Sequence, residues 1–170
     1  KLSGYEPKLI LQQLFTAGFF SNKEIGESLG QFLSERFEKI RFPYFEAALL
    51  SSAHTHYDHL LLASSSTEAI FEQLIRMGVK KNQAALSEKL DSIWENTNPE
   101  DLFRVAKLWM SVLAKAGIGL AGLDEAGFPG QTAKLKSILM EAERVSLDSE
   151  ASLRIRSAAI EAFSRGGELH

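Results

Sequence analysis

The stretch Asn98-Pro-Glu-Asp-Leu-Phe-Arg-Val-Ala-Lys-Leu-Trp-Met-Ser-Val-Leu-Ala-Lys-Ala-Gly117 reads as a helix that carries both of its own end signals. The Asn98 side-chain oxygen can accept a free backbone N–H of the first turn, which makes it a good N-cap. Pro99 suits the first helical position, where its missing N–H costs nothing. Glu100 and Asp101 place negative charge at the positive end of the helix dipole. Leu102, Val105, Ala106, Trp109, Met110 and Leu113 recur at three- and four-residue steps and form one apolar face. Gly117 can take the left-handed conformation that closes a helix, with Ile118 folding back on the last turn.

The same reading extends in both directions. Helix one is predicted from Pro7 to Ala17, with Leu11, Leu14 and Phe15 inward and Gly18-Phe19 closing it. Helix two starts at a capping box, Ser21 with Glu24, and runs to about Lys39. Its inward face is Ile25, Leu29, Phe32, Leu33 and Phe37, and Gly26 and Gly30 would let another helix approach closely. Pro43 opens helix three, which stops near Ser52 or continues to Ala63. Helix four follows a second capping box, Ser65 with Glu68, and is closed by Gly78-Val79. Asn82 caps helix five, whose face is Leu86, Leu90, Ile93 and Trp94. Helix six is the stretch quoted first. Residues 118–130, with four glycines and a proline, form a loop with one short turn. Helix seven spans Gln131 to about Val145. Helix eight runs from near Asp148 to near Ser164, with Leu153, Ile155, Ala159, Ile160 and Phe163 inward.

The fold class is therefore all-α: about eight helices in antiparallel pairs, α-solenoid-like or an irregular helical bundle. No alternating strand pattern and no Asn-Gly or Asp-Gly hairpin turn interrupts it. The 170 residues are expected to form a single domain belonging to a longer chain, since the sequence opens at Lys1 without a methionine. The loop 118–130 is expected to separate helices one to six from the last two. A net charge of −3 argues against a general nucleic-acid surface, which is usually basic. The absence of cysteine removes disulfides, thiolate nucleophiles and cysteine-based zinc sites. No apolar run approaches the ~20 residues that span a bilayer.

Three helices end alike, at Ala17-Gly18-Phe19, Met77-Gly78-Val79 and Ala116-Gly117-Ile118. Four residues before each glycine stands Leu14, Leu74 or Leu113; eight before stands Ile10, Ile70 or Trp109. Pro7-Lys-Leu-Ile-Leu-Gln-Gln-Leu-Phe-Thr-Ala-Gly18 and the Asn98–Gly117 helix resemble the helical repeats of organellar RNA-processing proteins, the FAST-kinase-like, RAP-domain and octotricopeptide group. The likeness implies an intracellular ribonucleoprotein setting, mitochondrial by the same token. No RAP domain is identifiable, and no family-defining residue carries over.

His54-Thr-His-Tyr-Asp-His59 resembles the first metal-binding motif of metallo-β-lactamase-fold hydrolases. That likeness implies zinc held by His54 and His56, a second ion at Asp58 and His59, and a metal-activated water. The family follows the motif with glycines and sets it among strands. Here Leu60-Leu-Leu-Ala63 follows, and helices flank it. On a continuous helix His54 and Asp58 share one face, His56 and His59 another. Neither pair makes a closed site. Gly117-Ile-Gly-Leu-Ala-Gly122 contains G-x-G-x-x-G, but a helix precedes it where a dinucleotide fold needs a strand. Ser64-Ser65-Ser66 reads as a loop or cap.

The reading that follows is a non-catalytic helical-repeat scaffold that binds a protein partner within a larger assembly, with no cofactor and no metal. RNA binding would use the basic last third, Lys134, Lys136, Arg144, Arg154, Arg156 and Arg165. A hydrolase would use His54, His56, Asp58 and His59.

Overall fold

A computed structural model describes residues 7–36, 44–63, 68–81 and 83–167, and every regular element among them is helical. Nine α-helices occur there: α1 (Pro7–Ala17), α2 (Lys23–Arg36), α3 (Phe45–Ser51), α4 (Ala53–Ala63), α5 (Glu68–Lys81), α6 (Gln83–Asn96), α7 (Pro99–Lys115), α8 (Gln131–Leu147) and α9 (Leu153–Gly166). The all-α class is as the periodicity predicts. The predicted starts at Pro43, Ser65 and Asn82, and the end near Lys39, lie outside the described residues. None of the described helices is long and apolar enough to cross a membrane.

The chain divides into two compact units, Lys1–Leu74 and Ile75–His170, where one domain was expected. The boundary falls inside α5, not at the loop 118–130. That loop does not separate the helices on either side of it, because α7 packs against both α9 and α8.

In the first unit α1 packs on α3 and α2 on α4. Gly18, just past the end of α1, lies against Ser51 and Ser52 at the end of α3. Gly26 lies against the His59 ring, and Gly30 against the His59 carbonyl and the Ala63 methyl. Each of these two pairs therefore runs in the same direction. Gly18 meets Ser52 and Gly26 meets His59 at offsets of 34 and 33 residues. An offset of about 34 residues is the period of a two-helix repeat, so (α1, α2) and (α3, α4) stack as successive units. The predicted close approach at Gly26 and Gly30 is thus met by α4. Phe32 and Phe45 meet edge to face, with ring centroids 6.3 Å apart.

The long or short form of helix three resolves as two helices broken at Ser52, whose hydroxyl donates to the Leu49 carbonyl at 2.7 Å. The cap of α2 is Asn22 and not Ser21: Asn22 Oδ1 accepts the Glu24 N–H at 2.8 Å. α5 runs straight through Gly78, which is buried mid-helix. Gly18 has no positive φ, so the common ending read at three glycines holds only at Gly117, with φ +72. There the Ile118 N–H returns to the Leu113 carbonyl at 3.0 Å.

The second unit is built on α7. Asn98 Oδ1 accepts the Asp101 N–H at 3.0 Å, and Pro99 opens the helix as predicted. Phe103, Leu108 and Val112 are buried along with Val105, Ala106, Trp109, Met110 and Leu113 of the predicted face, because α7 is covered on more than one side; Leu102 is half-buried. Trp109 is fully buried edge to face with Phe128, centroids 5.0 Å apart. The connection from α7 to α8 holds the predicted short turn, a 3-10 turn at Leu120–Gly122, and buries Leu120, Leu123 and Phe128. α9 packs on both α7 and α8. It starts later than predicted, because Ser152 and not Asp148 caps it. Its inward face is Ala159, Ala162 and Gly166; the predicted face residues Leu153, Ile160 and Phe163 are exposed and Ile155 is half-buried. Small residues let α9 approach closely, and the Leu139 side chain fills the space over Gly166.

Candidate functional site

The histidine segment lies at the start of α4, and its side chains diverge. The His54 Nδ1–H donates to the Ser51 carbonyl at 2.9 Å, in the last turn of α3. The Thr55 hydroxyl donates to the Gly18 carbonyl at 2.7 Å, and the buried His56 Nε2–H donates to the Ala17 carbonyl at 3.2 Å. The Tyr57 hydroxyl donates to the Leu74 carbonyl of α5 at 3.0 Å. Four consecutive side chains thus satisfy main-chain carbonyls of three helices; those at the ends of α1 and α3 have no partner within their own helix. The His56 backbone leaves the helical region, with φ −118 and ψ 29, which re-aims its ring towards α1. Burial first, and the Asp58 charge second, push the Tyr57 phenol above its ordinary value.

This arrangement does not suit zinc. His54 Nδ1 and His56 Nε2 carry the protons that hold carbonyls, the His59 ring covers Gly26, and Asp58 is exposed. His54 and Asp58 do not pair, because His54 bonds the end of α3. Among the described residues no group of three His, Asp or Glu side chains is placed to hold a metal ion.

Three residues of the predicted basic face pair with carboxylates. Lys134 pairs with Asp91 at 2.8 Å and Arg154 with Glu100 at 2.9 Å. Arg144 grips Glu141 with two hydrogen bonds, at 2.8 and 2.6 Å, and these hold the Glu141 carboxyl below its usual range. Lys136 is exposed; Arg156 and Arg165 are half-buried. The Gly117–Gly122 glycines form the end of α7 and the 3-10 turn, and no phosphate cradle between strand and helix exists there. Ser64–Ser66 lie outside the described residues.

A concave site not anticipated from the residues lies between α1 and α2. It is a cleft of about 230 Å³ to which α1 contributes Gln13, Thr16 and Ala17, the turn Phe20, and α2 Ile25, Ser28 and Leu29. Phe19 and Phe20, at 83% and 58% exposure, stand in the turn beside it. Phe19 was expected to close helix one against its last turn, but it projects into solvent. The signal in the sequence was two adjacent phenylalanines followed by Ser21-Asn22, a polar turn that offers no apolar partner. No family model, curated protein or solved structure matches this chain.

Proposed function

We propose that this chain is a non-catalytic helical-repeat scaffold that binds another protein as part of a larger assembly. The observation that carries this reading is the pair of exposed phenylalanines, Phe19 and Phe20, at the rim of the α1–α2 cleft. Large aromatic side chains held in water at a concave site mark an interaction surface, since their burial against a partner is a principal source of association energy. The same-direction stacking of helix pairs supports it, because stacked pairs present extended faces for such contacts. The histidines hold helix ends, and at least three of the six basic residues of the last third already face carboxylates, so neither group competes as the working surface.

The test is a photoreactive phenylalanine analogue at position 20 of the full chain, with the same analogue at position 160 as a control, irradiated in lysate. A discrete protein adduct from position 20, resistant to ribonuclease and absent from position 160, is the expected result. An adduct that is nucleic acid, or none from position 20, would overturn the reading.

A further inference from the structure

The two hydroxyls that line the α1–α2 cleft are left to it as hydrogen-bond acceptors. The Thr16 hydroxyl spends its proton on the Gln12 carbonyl at 2.9 Å, and the Ser28 hydroxyl spends its own on the Glu24 carbonyl at 2.8 Å. Only their lone pairs remain. Gln13, which lines the cleft, buries an Oε1 that has no hydrogen-bond partner. Around these stand apolar walls from Ala17, Ile25 and Leu29.

The rim has the matching charge. Glu24, Ser28, Gln31 and Glu35 recur at four- and three-residue steps, so they form one row along α2 with Ser28 at the cleft. Glu24 and Glu35 are exposed, and Gln31 donates its amide to Glu35 at 3.0 Å. Lys23, at the start of α2, pairs with Glu27, which flanks that row beside Glu24 and Gln31. No cation lines the cleft among the described residues. Phe19 and Phe20 add exposed aromatic faces, which attract cations electrostatically.

We propose that the α1–α2 cleft receives a basic segment of the partner protein. An aromatic or long aliphatic side chain of that segment fills the cleft. Its Lys or Arg neighbours lie over the faces of Phe19 and Phe20 and towards Glu24 and Glu35. The volume admits one large side chain and not a folded element, so the specificity comes from the sign of the flanking charge. This deepens the partner-binding reading above and rests on it.

The experiment is a methyl-resolved NMR titration of the full chain with two small probes, phenethylamine and 3-phenylpropionate, which share a ring and differ in charge. Phenethylamine is expected to move the Ala17, Ile25 and Leu29 methyl signals saturably. 3-Phenylpropionate should bind there at least about fivefold more weakly, the size of one exposed charge contact. Replacing both Glu24→Lys and Glu35→Lys should abolish or reverse that preference. Glu143→Lys with Glu150→Lys, the same change of net charge elsewhere, should leave it intact. Equal binding of the two probes, a preference for the carboxylate, or no shift at these methyls would each overturn the proposal. Any of those results alongside a protein adduct from position 20 would sink the basic segment and leave the scaffold reading standing.

Discussion

Helices α2 and α4 meet where Gly26 gives way to the His59 ring, whereas α7 and α9 meet along a side bearing two ion pairs, Glu100–Arg154 and Lys107–Glu161, each spanning 54 residues. Two pairs at one offset show that α7 and α9 also run in the same direction. The longer offset reflects the loop 116–130, which lies between the two helices in the chain. Each stack thus pairs helices that run the same way, but the two differ in chemistry. The first depends on missing atoms and on side chains that reach into the ends of neighbouring helices. The second depends on buried apolar residues of α7 and on the small face of α9, with its charges left in contact with water. Steric exclusion and buried hydrogen bonds tolerate little change, while exposed ion pairs contribute little and can be lost cheaply.

Gly26→Ala should produce the largest effect. A Cβ there would fall 2.9 Å from both Cγ and Nε2 of His59, closer than carbon atoms approach. The expected destabilisation is about 1–3 kcal/mol, read from chemical denaturation. Adding His59→Ala should recover most of it. A Gly26→Ala chain as stable as the parent would show that α2 and α4 are not in contact at this point.

Tyr57→Phe should come next. It removes the hydrogen bond to the Leu74 carbonyl and should cost about 0.5–1.5 kcal/mol near neutral pH. The phenol is held protonated in the folded chain more firmly than in the unfolded one. Its contribution is therefore whole below the unfolded value of roughly 10 and drains away as pH rises beyond it. The alkaline limb of a stability–pH profile should be shallower in Tyr57→Phe; an unchanged limb would refute the buried assignment.

The smallest effect belongs to the second stack. Lys107→Met, which removes the exposed pair with Glu161, should change stability by no more than about 0.5 kcal/mol. A loss comparable to that of Gly26→Ala would erase the contrast between the two stacks.

Much of the fold was legible. Asn98, Pro99 and Gly117 act within a few residues of themselves, so their roles could be read without knowing what lies opposite. Leu14, Leu74 and Leu113 were correctly placed in the core by spacing alone, and each is fully buried. The face of α9 was legible only at Ala159, because periodicity also favours the large residues Leu153, Ile160 and Phe163, and the close approach of α7 and α8 selects Ala162 and Gly166 in their place. The histidine segment misled for a related reason. Its residue types match a metal motif, but their partners are carbonyls up to 39 residues distant along the chain. The cleft was not legible because Phe19 was expected to fold back on the last turn of α1, whereas it and Phe20, which lines the cleft, are exposed.

The sequence by itself determined that this chain is helical, where α1 and α7 begin and end, and which small residues on α2 admit a neighbour. Hydrogen bonds from caps and apolar spacing act over a turn or two, and that information is complete within each segment. Only the tertiary structure decided that α1 lies on α3 and α2 on α4, that the histidines hold helix ends, and that Phe19 and Phe20 face water. Those outcomes depend on which surface is brought opposite each side chain by residues 33–54 positions away, and no local pattern encodes the identity of that surface.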